Sequence, residues 1–250
     1  MSDAAGLPEF FTLLHLDTVD STNEEAKRQG RNGARAGTIV WADAQTAGRG
    51  RLGRVWDSPR GNLYFSILLR PKCTAAAAPQ LGFGAALAVG EALAPLLPDP
   101  AALKCKWPND VLVGGRKIAG ILMEAQSTSG KIDSLVVGFG VNLVSHPAGT
   151  ETPATSLAAC GAETVSPASL LTAIATRFLH WRVLWRAEGF APLRAAWLDR
   201  AHALGDEIKV RGAGPELRGR FVDLDADGAL ILEGAAGRQS IQAGAIFPAA

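Results

Sequence analysis

Three arginines and three glycines are interleaved in the segment QTAGRGRLGRVW, residues 45–56, which contains no acidic residue. Arginines at this spacing repel one another, and ordered glycine costs extra backbone entropy. Glycine also lets a backbone approach an anion, and guanidinium groups bind phosphate or carboxylate oxygens in pairs. We therefore expect a mobile loop that becomes ordered over an anionic ligand and excludes water. The alternative is a flexible surface loop or a minor nucleic-acid contact.

Neighbouring polar and aromatic residues are candidates for the same site. Gln45 ends a predicted buried strand, which is a rigid position for a polar contact, and Trp56 can stack on a base or fasten the loop. The KWPND turn places Lys106, Asn109 and Asp110 around a proline, although this sequence also makes a stable turn without any ligand.

Two later strands carry residues that an apolar pattern does not require. Lys117 lies at the start of RKIAGILMEA, where a lysine is either a ligand contact or an ordinary solvated charge. Gly138 and Gly140 interrupt an apolar strand, and glycine there indicates a bulge or the close approach of a ligand. Asn142 follows them with an amide suited to a purine edge or a ribose.

The composition argues against several functional classes. The chain has 250 residues, 48% of them hydrophobic, and its net charge of +1 does not suggest bulk electrostatic binding to nucleic acid. Its three cysteines match neither a disulfide framework nor a zinc pattern. No apolar stretch reaches the roughly 20 residues of a membrane span, and the N-terminus has no secretory signal pattern. We expect a cytoplasmic protein with no membrane partner and no metal site of its own.

The order of predicted elements indicates an α+β fold with a mixed or antiparallel sheet and flanking helices. Strands are predicted at 10–19, 37–43, 62–70, 116–125 and 133–143, and helices at 79–97, 167–187 and 190–201. The strand at 62–70 alternates, with one apolar face. From residue 203 the pattern becomes short strands and turns, which predicts a small β-barrel; the expected domains are 1–202 and 203–250.

Local signals mark two of the element boundaries. Ser21 and Thr22, each followed three residues later by a glutamate, predict a capping box at the start of a helix. Gly114 and Gly115 predict a hairpin turn. The fingerprints of the P-loop and dinucleotide folds are missing, so any nucleotide must be bound by another device.

Four long motifs occur in a fixed order over roughly residues 17–143: DSTNEEAK, WADAQTAGRGRLGRVWDSPRGNLYFSILLRP, KWPNDVLVGGRKIAGILME and VVGFGVNL. They resemble the successive signatures of biotin–protein ligases. The resemblance implies a class II synthetase-like catalytic domain with an SH3-like C-terminal domain. It also implies that biotin and ATP, with Mg²⁺, form biotinyl-5′-AMP, and that a lysine of a biotin carboxyl carrier domain then accepts the biotin and releases AMP.

The resemblance also implies roles for individual residues. Biotin contacts are implied for Ser21, Thr22, Asn23, Gln45, Gly48, Arg49, Gly50, Arg51, Lys117 and Gly138. Contacts with ATP or the adenylate are implied for Arg51, Trp56, Asn109, Lys117 and Asn142. Arg49, Arg51 and Lys117 are the expected catalytic residues, because attack of one anion on another requires both charges to be neutralised.

Some members of this family carry an N-terminal DNA-binding domain, and here the catalytic motifs begin by Asp17, so we expect a ligase without repressor function or DNA binding. Two other functions remain open. A lipoate or related acyl–protein ligase shares the fold and the adenylation chemistry. A nucleic-acid-binding module would use the arginine–glycine loop, although the balanced charge disfavours it. The apolar strands would allow a homodimer.

Overall fold

The structure is a computed structural model that describes residues 6–128, 131–162, 164–212, 214–235 and 237–249. The first strands and helices are β1 (Thr12–Val19), α1 (Thr22–Arg31), β2 (Thr38–Gln45), β3 (Leu63–Leu69), α2 (Gln80–Leu93), β4 (Leu103–Lys106), β5 (Asp110–Val113), β6 (Arg116–Thr128) and β7 (Lys131–Val141). They are followed by α3 (Pro167–Glu188), α4 (Ala191–Leu198), β8 (Glu207–Arg211), β9 (Leu217–Leu224), β10 (Leu230–Gly234), β11 (Gly237–Ile241) and β12 (Ala245–Pro248).

The first seven strands form one sheet in the order β1-β2-β3-β7-β6-β5-β4. β1 and β2 pair in parallel and the other neighbours pair antiparallel, so the sheet is mixed. This confirms the predicted α+β class with a mixed sheet. Gly114 and Gly115 join β5 to β6 with φ of 56° and 74°, as the hairpin prediction requires.

Helices cover the two faces of this sheet. Ala26 of α1 packs on Val40, Leu68 and Val136, whereas α2 and α3 pack together within the larger core. All seven residues of β3 are consequently buried. The prediction of one apolar face for this strand was therefore incomplete, because α1 removes the second face from water as well.

The last five strands form an antiparallel sheet in the order β11-β10-β9-β8-β12. Among the described residues no pairing joins β11 to β12, so this sheet is open along its edges rather than closed by hydrogen bonds. Ile208 and Phe221 belong to the same hydrophobic core as the main sheet. The indole of Trp107 also donates to Gly228 O at 3.1 Å. The C-terminal sheet is thus packed directly against the part that carries the motifs.

No helix in the described ranges combines the length and the apolar character needed to cross a membrane.

Candidate active site

A cavity of about 370 Å³ lies between the segment 49–57, the sheet and residues 244–245 of the C-terminal sheet. Twelve of the thirteen residues predicted for the site line it: Ser21, Thr22, Asn23, Gln45, Arg49, Gly50, Arg51, Trp56, Asn109, Lys117, Gly138 and Asn142. Gly48 does not line it. A Cβ at Gly48 would stand 2.5 Å from Ser58 Oγ, so this glycine is needed for close backbone packing behind the cavity.

A buried polar network forms one wall of the cavity. Gln45 Oε1 accepts hydrogen bonds from the backbone N of Thr22 at 2.8 Å and from its hydroxyl at 3.1 Å. Gln45 Nε2 donates to Ser58 Oγ at 2.8 Å. Ser66 Oγ lies 2.8 Å from Thr22 Oγ1 and 2.6 Å from Asn23 Oδ1. Because each side chain is fixed by its neighbours, the wall presents its polar atoms in a set geometry.

The residues at the start of α1 belong both to the helix terminus and to the cavity wall. Ser21 is the N-cap residue with extended backbone, but its side chain accepts no capping hydrogen bond. The predicted capping box is therefore wrong. In a capping box the amide of Ser21 would donate to the Glu24 side chain, but it donates to Asp20 Oδ1 at 2.7 Å. The amide of Thr22 donates to Gln45 of β2, and the buried Ser21 lines the cavity.

Gly138 is required by the position of Asn23. A Cβ at Gly138 would overlap Asn23 Oδ1 and stand 2.9 Å from Asn23 Cγ. The Asn23 amide group donates to Glu124 Oε2 at 2.8 Å, which holds the side chain against the glycine. The absence of a side chain at 138 thus creates the space in which Asn23 lies.

The arginine–glycine segment forms a short hairpin over the cavity, which we call the lid (residues 48–56). Gly50 N donates to Arg54 O at 2.7 Å, and Trp56 N donates to Gly48 O at 3.0 Å. Leu52 lies at the tip with φ of 55° and is 79% exposed. Backbone hydrogen bonds therefore connect the two arms of the lid hairpin, and the tip of the hairpin projects into solvent.

Two lid arginines are paired with carboxylates from other elements. Arg49 forms an ion pair with Glu24 of α1, and its side chain is 50% exposed. Arg54 Nη2 lies 3.3 Å from Glu151 Oε2, and the other oxygen of Glu151 lies 2.8 Å from Arg211 Nη1 of β8. The lid thus has carboxylate counter-charges on both sides, Glu24 on one and Glu151 on the other.

Arg51 is the most enclosed of the lid arginines. Its Nη1 donates to Asn109 Oδ1 and to Gly244 O, each at 3.2 Å. Burial lowers the pKa of Arg51, partly offset by Asp110. A guanidinium nevertheless remains charged at any physiological pH, so Arg51 brings a fixed positive charge into the cavity.

Two lysines face the cavity from the main sheet. Lys117 Nζ lies 2.7 Å from Asp110 Oδ1 and 5.2 Å from the centre of the Trp56 ring. Lys106 is buried and donates to Thr152 Oγ1 at 3.0 Å. Burial lowers the pKa of Lys106, because a charged amine is poorly solvated there.

Trp56 lies flat on two glycines. A Cβ at Gly140 would stand 2.6 Å from Trp56 Cε2, and one at Gly120 would stand 3.0 Å from Cζ3. These glycines are opposite each other in β6 and β7. The indole Nε1 is buried without a hydrogen-bond partner in the described structure. Gly140, which the sequence predicted as a place of close approach, therefore accommodates an aromatic ring of this chain, and so does Gly120, which was not predicted.

The two predicted asparagines both support the cavity wall. Asn142 Nδ2 donates to Thr155 O at 2.9 Å, and Asn109 Nδ2 donates to Ile121 O. Asn109 Oδ1 is the acceptor for Arg51. Their amide groups are thus already hydrogen-bonded to the chain, and they hold neighbouring segments in place.

The sequence alone did not single out Ser66, Glu124, Glu151 or Gly244, and it indicated Lys106 and Asp110 only as part of the KWPND turn, without giving them a role. Lys106 had a usable signal, because it stands between apolar Cys105 and Trp107 in a strand. Glu151 and Gly244 had none, since each contacts a lid arginine that is distant from it in sequence. Within the described ranges, no three His, Cys, Asp or Glu residues are grouped as a metal site.

Comparison with known proteins identifies the same two parts of the chain. Residues 16–142 match the biotin/lipoate A/B protein ligase family, and residues 203–247 match the biotin protein ligase C-terminal domain. The biotin–[acetyl-CoA-carboxylase] ligase of Paracoccus denitrificans is 43% identical over 93% of this chain and 98% of its own length. The bifunctional ligase/repressor BirA of Bacillus subtilis is 34% identical over 88% of this chain and 69% of its own.

A solved structure agrees with this assignment. The biotin protein ligase of Aquifex aeolicus in complex with biotin and ATP has a TM-score of 0.81 and 32% identity, over 94% of this chain and 97% of that one. The similarity therefore includes both the sheet that carries the cavity and the C-terminal sheet. On the family match and these identities, the chain belongs to the biotin/lipoate A/B protein ligase family.

Proposed function

We propose that this protein is an ATP-dependent biotin–protein ligase. It adenylates biotin to biotinyl-5′-AMP and transfers the biotin to a lysine of the biotin carboxyl carrier domain of acetyl-CoA carboxylase or a related carboxylase. The observation that carries the proposal is that Arg49, Arg51 and Lys117 line one cavity together with the polar wall formed by Ser21, Thr22, Asn23 and Gln45. Relatives named as biotin ligases, one of them solved with biotin and ATP, favour biotin over lipoate.

The cations of the cavity suit the first step. Biotin's carboxylate attacks the α-phosphorus of ATP, a new C–O–P bond forms, and pyrophosphate leaves. Both reacting groups are anions, so Arg49, Arg51 and Lys117 are proposed to neutralise charge that is concentrated in the transition state. The carrier lysine then attacks the carbonyl carbon and AMP leaves, which requires no nucleophile from this chain.

The polar wall suits the neutral end of biotin. Ser21, Thr22, Asn23 and Gln45 offer hydroxyl and amide groups to a ureido ring, and Gly138 keeps Asn23 in place. Gly50 is proposed to let the lid backbone approach the carboxylate, whereas Gly48, which was predicted for the same contact, packs behind the cavity. Trp56, Asn109 and Asn142 are proposed to surround the adenylate, with Trp56 supplying a flat face.

The donor set indicates how Mg²⁺ enters the reaction. Asp110 and Glu151 line the cavity but are already paired with Lys117 and with two arginines. We therefore propose that Mg²⁺ belongs to the Mg-ATP substrate rather than to a site of this chain, and that it would supply charge neutralisation for the departing pyrophosphate. The chain's own contribution is to bind and orient the nucleotide with cations.

We further propose that residues 1–202 are the catalytic domain and that 203–250 are a separate C-terminal domain. The match of residues 203–247 to the C-terminal domain of biotin protein ligases supports this division. Gly244 of the proposed C-terminal domain accepts a hydrogen bond from Arg51, and Glu151 of the proposed catalytic domain pairs with Arg54. The lid therefore contacts both proposed domains. A homodimer and the lack of DNA binding remain predictions.

The function is tested by mass spectrometry of a purified carrier domain incubated with the protein, Mg-ATP and either biotin or lipoate. We expect one biotin per carrier and pyrophosphate release that depends on biotin. Lys117→Ala should lower pyrophosphate release at least about 100-fold. The control Lys72→Ala, an exposed lysine that does not line the cavity, should leave it unchanged. Modification by lipoate alone would contradict the proposal.

A further inference from the structure

Four charged side chains meet at the edge of the cavity, where α1 approaches the lid. Arg49 pairs with Glu24, and Arg49 Nη1 lies 3.9 Å from Glu124 Oε1. Lys27 Nζ lies 2.7 Å from Glu24 Oε1 and 3.1 Å from Glu124 Oε1. Two cations therefore share two carboxylates, and the formal charge of the group is zero.

Only Arg49 of this group lines the cavity. The guanidinium of Arg49 is paired with the carboxylate of Glu24, and a carboxylate is also the group that biotin presents. A guanidinium that is paired with one carboxylate has fewer free donors and less uncompensated charge for a second one. Glu24 and a substrate carboxylate are thus competitors for one side chain.

We infer that Glu24 is an internal counter-ion of Arg49, and that it lowers the affinity of the site for the carboxylate of its substrate. The inference rests on the proposed function, since it needs a carboxylate ligand in this cavity. The pair joins the lid arginine to α1. Ligand binding exchanges the carboxylate of Glu24 for that of the substrate.

Lys27 lowers the free-energy cost of this exchange of carboxylates. It is 15% exposed and contacts both glutamates, so they keep a cation after Arg49 leaves. Glu24 also lies in the first turn of α1, where the helix dipole stabilises a negative charge. The hydrogen bond from Lys27 is the main cause of a lowered Glu24 pKa, ahead of the contribution of Arg49. Glu24 therefore remains ionised when Arg49 turns to a ligand.

Calorimetric binding of biotin and of neutral biotinamide tests the inference, without ATP. We expect Glu24→Gln to bind biotin about fivefold more tightly than wild type, from the roughly 1 kcal/mol of a partly exposed ion pair. Biotinamide should bind both proteins equally. The matched control is Glu25→Gln, which removes the neighbouring carboxylate that pairs with Arg28 at 2.7 Å and does not line the cavity. It should change neither affinity.

A second comparison distinguishes the effect of the Glu24–Arg49 ion pair on biotin affinity from the effect of simply removing a negative charge near the cavity. In an Arg49→Ala background, Glu24→Gln should no longer tighten biotin binding, because the competing side chain is gone. Tightening of the same size in that background overturns the inference, and so does an unchanged affinity of Glu24→Gln. If the wild-type protein binds no biotin, the proposed function itself is wrong. If the wild type and Glu24→Gln bind biotin with equal affinity, only the inference about Glu24 is overturned.

Discussion

Replacing Gly138 with alanine tests the proposed origin of the polar wall. The added Cβ would overlap Asn23 Oδ1 and stand 2.9 Å from Cγ, and real Cβ atoms hardly ever approach a heavy atom within 3.0 Å. Asn23 is only 3% exposed and is held by Ser66 and Glu124, so it can move only by breaking those hydrogen bonds. The substitution must displace Asn23 or bend β7.

The expected loss follows from the contacts of Asn23. Its Oδ1 lies 2.6 Å from Ser66 Oγ, and its Nδ2 lies 2.8 Å from the carboxylate of Glu124. A neutral hydrogen bond contributes about 1 kcal/mol and one to a charged group about 2 kcal/mol. Since relaxation preserves part of this and overpacking adds strain, we expect Gly138→Ala to lower the free energy of unfolding by about 3 kcal/mol. Biotin affinity should fall about tenfold.

Urea unfolding followed by tryptophan fluorescence and calorimetric titration with biotin measure the two effects. The control is Gly214→Ala, because a Cβ there meets nothing within 4 Å. The double variant Asn23→Ala/Gly138→Ala should recover part of the stability, since the clash is gone, but not the affinity. A Gly138→Ala protein within about 0.5 kcal/mol of wild type and with unchanged affinity would refute the argument.

Three other predictions concern the lid and the start of α1. Arg49→Ala should increase escape of the adenylate into solvent more than it weakens ATP binding; a variant that retains its intermediate like wild type would contradict the role of the lid. Glu151→Gln should increase that escape about twofold, and adding Arg54→Ala should have no further effect, since both changes break one ion pair. The hydrogen bond from Arg28 lowers the pKa of Asp20 from 3.8 to about 2, so its stabilisation is present above pH 3.8 and is lost as the pH falls through about 2. Because the pair is largely exposed, Asp20→Asn should cost less than about 1 kcal/mol at pH 7, and the two unfolding curves should converge near pH 2.

The helices and strands were predictable because their signals are local. Apolar periodicity located the strands and helices of the main sheet, and Gly114–Gly115 predicted a turn that positive φ angles confirm. The motifs also predicted twelve of the residues that line the cavity, since their order along the chain resembles one family. Where a local rule failed, the groups concerned had other partners: Glu24 pairs with Lys27 and Arg49, and the amide of Ser21 donates to Asp20, so the capping box is not formed.

What only the tertiary structure decided is which charges face one another. The sequence by itself determined the residue types of the site, including three lid arginines, a strand lysine and glycines at close approaches. It did not reveal that Glu24 pairs with Arg49, or that Arg51 reaches the carbonyl of Gly244, 193 residues away. Pairings of this kind have no local signature, because they depend on how separately formed elements pack and on which acceptors that packing brings within about 3 Å of a guanidinium.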